Sequence, residues 1–191
     1  CFEAGGRRGV RSGVHVHRHQ RAGRLDHHVR AGLQRHLYLA TLADAGPKLL
    51  ELWQRALSAA PDPASAIKDI GMAYYGHARS RSPIMRLWFQ AVGEAADPEV
   101  RALVAETLGE AVGLVQAVIE DGQRAGVFRD DMDTRTAAWE FMGIGFSMDL
   151  AHVLGFGDDL SRETVEEMGD RFIDSLRPRA DTATTGRGVT E

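Results

Sequence analysis

Three times in this chain a helix-capping residue stands directly before a proline: Asp62-Pro63, Ser82-Pro83 and Asp97-Pro98. A short polar side chain there accepts from the backbone N–H groups of the first turn, and proline at the first helical position gives up no hydrogen bond. Each pair therefore opens a helix and stops whatever precedes it. Between these marks the apolar residues return at three- and four-residue intervals. Tyr38, Leu42, Ala45, Leu49, Leu52, Trp53 and Ala56 predict a helix over 36–59, ended by Pro61 and Pro63. Two more are predicted over 63–78 and from Pro83 through about Glu94. The stripe Val100, Leu103, Val104, Leu108, Ala111, Val115, Val118 and Ile119 predicts a fourth, ending near Gly122 to Gly126. Asp133 caps a fifth over 134–155, stopped by Gly155 and Gly157. Ser161 caps the last over 162–176, with Val165, Met168, Phe172 and Leu176 in register. No window alternates with period two for long enough to be a strand. Six helices joined by short Pro- or Gly-marked connections predict an all-α helical bundle after residue 36.

The first 36 residues read differently. Gly5, Gly6, Gly9, Gly13, Gly23 and Gly32 interrupt every window, each costing a helix about 1 kcal/mol relative to Ala. Eight Arg stand there against Glu3 and Asp26, a formal +6, while the remaining residues carry −10, giving the chain its −4. A basic arm on an acidic body is one footprint of a nucleic-acid binder. The expected organisation is an irregular basic arm over 1–36, a helical body over 37–177 and a disordered polar tail over 178–191. The chain opens on Cys1, its one cysteine, which excludes an intramolecular disulfide and points to a reducing, cytoplasmic setting. No continuous apolar run approaches 18 residues, so no membrane partner is expected.

Catalytic chemistry finds little to stand on. It needs a nucleophile, a base and an orienting group. His77 and His152 are the histidines of the helical body, and no Gly-x-Ser-x-Gly elbow, phosphate loop or His-Glu-x-x-His occurs. Asp130, Asp131 and Asp133 resemble the start of a calcium loop but lack its Gly and closing Glu, so they read as a capped helix start. His15, His17 and His19 would share a face only in an extended segment. The expectation is a protein without catalytic residues, metal or cofactor.

The aromatic residues carry more. Trp53, Tyr74, Tyr75, Trp88, Phe89 and Trp139 come from four helices, and Met85 joins them. Such a set lines an apolar cavity between helices or fills a plain core. The fifth helix has two apolar faces. Trp139, Met142, Phe146, Leu150 and Val153 line one, and Phe141, Gly145, Met148 and His152 line the other. One is expected to be core. The other, taken as Phe141, Gly145, Met148 and His152, is expected to pack with Val165, Met168 and Phe172 against a second subunit, making a homodimer. Gly143 and Gly145 cost that helix stability, which a close helix approach offsets.

The order of these motifs resembles TetR-family transcriptional regulators. His36-Leu37-Tyr38-Leu39-Ala40-Thr41-Leu42 is similar to the junction between their DNA-binding head and fourth helix. Arg86-Leu87-Trp88-Phe89, Asp97-Pro98-Glu99-Val100 and the turn from Gly122 to Arg129 follow in the family's order, over about 36–177. The resemblance implies an effector-binding and dimerisation domain. Its middle helices would bind a small apolar effector and its last two would form a four-helix dimer interface. It also implies operator DNA as a partner of intact relatives. The helix-turn-helix that belongs over 1–36 is not readable. A one-nucleotide shift of frame over 24–34 permits Val-Ser-Thr-Thr-Thr-Phe, three residues and Phe, which resembles the missing turn and recognition helix. DNA binding by this chain is therefore doubtful. The competing expectation is a helical dimeric small-molecule binding module with no DNA-binding activity.

Overall fold

The computed structural model describes residues 13–80 and 83–179, with the side chains of 13–29, 31 and 83–85 left aside. The Ser82 cap and the tail beyond Arg179 lie outside the described residues, as do the side chains of His15, His17 and His19. The described residues form α1 (Gly13–Ala59), α2 (Pro63–Arg79), α3 (Pro83–Gly93), α4 (Pro98–Arg124), α5 (Thr134–Leu154) and α6 (Arg162–Leu176), with no strand among them. The chain is all-α.

The boundaries follow from the caps. Asp62 accepts from Ser65 N at 2.9 Å, Asp97 from Glu99 N at 2.9 Å, Asp133 from Thr136 N at 2.7 Å and the Ser161 hydroxyl from Thr164 N at 3.2 Å. Asp133 is thus spent on a helix start, and Asp131 pairs with Arg129 at 3.2 Å. Gly155 ends α5 in the left-handed region, at φ 87°.

α1 begins far earlier than expected. The irregular arm predicted up to residue 36 is helical from Gly13 onward. Glycine weakens a helix without ending it, no proline interrupts 13–46, and Arg, Gln, Leu and Ala between the glycines are among the best helix formers. The chain divides into two compact units, residues 1–41 and residues 42–191, with the boundary inside α1. The described part of the first is a single helical segment in which the His36 ring and the Thr41 hydroxyl bond backward to Gly32 O and Leu37 O.

The second unit holds the core. α4 packs along α5, α2 lies against α4, α5 and α6, and α3 against α4 and α5. Four aromatic rings from four helices run through its centre. Trp53 of α1 stands edge-on to Tyr74 of α2 at 5.8 Å and to Phe141 of α5 at 6.3 Å, and Phe141 meets Phe172 of α6 at 5.6 Å. Edge-to-face pairs of this kind add to the large apolar area that each ring buries. Ile67, Ile70, Val112, Val115 and Ile119 close around them. α4 is the one helix among the described residues long and apolar enough by composition to cross a membrane; here its stripe Val112, Val115, Val118 and Ile119 is buried against its neighbours.

Two glycines admit close contacts. Any Cβ on Gly46 of α1 would run into Thr107 of α4, and any Cβ on Gly122 into the ring of Phe128. The second explains the Gly122–Arg129 turn. α4 ends, Gly126 takes φ 69°, and Phe128 folds back over Gly122 into the core. Gln123 ties the turn with bonds to Arg129 O and Met132 O, and Arg129 N donates to Leu176 O at 2.8 Å.

The expected subunit interface requires correction. Phe141, Met148, Val165 and Phe172 are buried inside the chain's own fold. Gly145 is half-buried, because a Cβ there would sit 3.3 Å from the Tyr74 ring. His152 and Met168 are half-buried, His152 against the turn at Gly157. The opposite face of α5 is the open one: Trp139 is 43% exposed, Phe146 42%, Leu150 48% and Leu154 60%, with Phe156 just beyond the cap. Both faces are apolar, so spacing could not choose between them. The choice falls to the neighbours, since Gly145 admits Tyr74 and Phe141 reaches Phe172.

Candidate ligand-binding site

α1, α2, α3, α4 and α5 line a cavity of about 90 Å³ in the second unit, partly open to solvent. Amphipathic spacing puts its walls in place: Leu49 and Trp53 stand one turn apart on α1, and Val104, Leu108 and Ala111 follow one another along α4. Trp88, Phe89 and Val92 of α3 form another wall, and Met142 and Phe146 of α5 a further one. Apolar lining with very few polar groups is the usual character of small-molecule pockets.

The polar groups are few and specific. Asp149 of α5 lines the cavity and is only 5% exposed, the one buried charged residue among the described residues. The Tyr74 hydroxyl donates to its Oδ2. Its Oδ1 has no hydrogen-bond partner among the described residues, and neither has the indole N–H of Trp53. No Lys, Arg or His is among the described lining residues. Burial pushes the Asp149 carboxyl up to about 6, against the opposing effect of the Tyr74 hydrogen bond. The Tyr74 hydroxyl is pushed well above its usual value by burial and by the neighbouring carboxylate, so it stays protonated and donates.

A second apolar cavity lies against the first, lined by Ile67, Gly71, Met72, Phe141, Met148 and Val165 among others. Trp53, Tyr74, Met142 and Phe146 line both.

The seven residues expected to bind ligand do not all converge. Trp53, Tyr74, Trp88 and Phe89 line the first cavity. Tyr75 does not. One residue on from Tyr74, it turns to the other side of α2 and packs with Met148 and Val165, its hydroxyl 3.4 Å from Leu160 O and the Arg79 guanidinium 5.7 Å over its ring. Trp139 lines neither cavity and stands on the open face of α5. The side chain of Met85 lies outside the described residues. Asp149 was missed, although one signal was available: it is the lone acid in the second half of a helix that is otherwise apolar nearly all round.

No family model matches the chain, and no curated protein matches it. Among solved structures, it is similar to a protein with unknown function from Rhodococcus sp. RHA1. The two share 19% identity and a TM-score of 0.60, over 73% of this chain and 72% of the other. That likeness shows a shared helical fold.

Proposed function

We propose that this chain is the effector-binding and dimerisation body of a ligand-responsive transcriptional regulator of the TetR type. The single observation that carries the reading is the aromatic cavity between the helices, walled by Trp53, Tyr74, Trp88 and Phe89 and holding one buried carboxylate. A plain core would close over such a space, since voids cost stability and a buried carboxylate with one oxygen unsatisfied costs more. The open stripe Trp139, Phe146, Leu150 and Leu154 supports dimerisation, because a single-helix row of large apolar side chains gains from a partner. Effector binding would shift a population between two arrangements of the dimer and so change its hold on operator DNA. A cytoplasmic location goes with that role.

The open second reading is a dimeric small-molecule binding module without DNA activity. Electrophoretic retardation of the DNA flanking the chain's own coding sequence, at moderate salt, separates the two. Specific retardation, altered by a cavity ligand, supports the regulator. Cavity binding with retardation no better than that of unrelated DNA overturns it in favour of the module. The eight arginines of residues 1–36 make the salt control necessary, because phosphate contacts alone are strongly salt-dependent.

A further inference from the structure

We infer that the cavity is built for a protonated amine on an apolar body, with Asp149 Oδ1 as the seat of the ammonium group. The inference rests on the cavity being a ligand site, as proposed above, and adds the chemistry of what enters it. Asp149 is 5% exposed, lines the cavity, and has one oxygen engaged by Tyr74 and the other without a partner among the described residues. A neutral apolar guest would leave that oxygen unpaired in a dry site. An anionic guest would add a second negative charge beside it. An ammonium group supplies both the missing donor and the missing charge, and no cationic side chain among the described lining residues competes for the place.

The walls agree with this choice. Trp53, Tyr74, Trp88 and Phe89 surround the same space. Aromatic rings attract cations through their negative faces, and more strongly where water is excluded. At neutral pH the carboxyl is largely ionised, since burial raises it only to about 6. The Trp53 indole N–H, also without a partner among the described residues, is left for an accepting atom elsewhere on the guest or for a water.

The test uses the full chain and three probes with one apolar body: phenylbutylamine, phenylbutanol and phenylbutanoate. Binding is measured by titration calorimetry near neutral pH, and tryptophan fluorescence reports occupancy beside Trp53 and Trp88. The amine should bind at least about tenfold more tightly than the alcohol, and the acid most weakly of the three. In Asp149→Asn the amine should lose its advantage and bind within about twofold of the alcohol, with helix content retained. Equal binding of amine and alcohol to the unaltered chain overturns the amine assignment while leaving the cavity as an apolar ligand site. An amine preference that survives Asp149→Asn overturns it as well. Failure of all three probes to bind overturns the ligand site itself. The comparison of probes on the unaltered chain stands even if the variant does not fold.

Discussion

The Tyr74 hydroxyl of α2 donates to Oδ2 of Asp149 in α5, and Oδ1 of the same carboxylate meets no partner among the described residues. The pair joins two helices of the core through a carboxylate that is only half satisfied. Desolvation therefore wins over the hydrogen bond, and the carboxyl rises from 3.8 to about 6.

That rise has a definite pH signature. A carboxyl raised on folding is held more tightly by its proton in the folded chain. Its ionisation therefore lowers stability as pH rises from about 4 to about 6, by about 3 kcal/mol as an order of magnitude. Asp149→Asn should remove this dependence and leave the variant more stable than the parent above neutral pH. Urea unfolding of both proteins across that range decides it, read as a difference. Asp62, Asp133 and Glu163 are held below their ordinary values by capping hydrogen bonds and add an opposite slope common to both proteins. Parallel curves for parent and variant would show that the carboxylate is satisfied.

Tyr74→Phe should destabilise the chain by roughly 1 to 3 kcal/mol, because it strips Asp149 of its remaining partner. The same change made on Asp149→Asn should cost distinctly less. Additive effects in that double-mutant cycle would mean the two side chains do not act as a unit.

Two glycines of α5 should respond with opposite signs. Gly145→Ala puts a Cβ 3.3 Å from the Tyr74 ring and should destabilise by about 1 kcal/mol or more. Gly143→Ala meets nothing within 4 Å and should gain up to about 1 kcal/mol from helix propensity. Thermal unfolding of the pair settles the matter, and a loss at both positions would place a partner against Gly143.

Gly122→Ala should be the costlier glycine change, about 2 kcal/mol or more, since Phe128 lies where the methyl would go and is itself buried in the core. A midpoint in urea unchanged from the parent would mean that the turn gives way easily.

The proposed homodimer should be sensitive on the open face of α5. Leu150→Glu should shift sedimentation to a monomer with helix content kept, whereas Phe172→Glu should unfold the chain, because Phe172 is 7% exposed and packs on Phe141. A Leu150→Glu protein that sediments as the parent does would remove α5 from the interface.

The caps made most of the fold legible in advance. Asp62, Asp97, Asp133 and Ser161 each stand where a helix begins, and local hydrogen bonding is a property of a few neighbouring residues. The start of α1 was not legible, because glycine counts penalise a helix without excluding one. Nor was the choice of face on α5, which depends on what Tyr74 and Phe172 do from other helices. The cavity was half legible. Trp53, Tyr74, Trp88 and Phe89 could be gathered by type, but Tyr75 and Trp139 are of the same type and point elsewhere. Asp149 was marked only by being the lone acid in the apolar second half of α5, and a single acid in a helix is ordinarily a solvated one.

Trp53, Tyr74, Met142 and Phe146 stand as a party wall between two cavities. Whatever presses on that wall from one side changes the room on the other. Were both spaces to hold guests, any change that one makes in the other's affinity would be returned by the same factor.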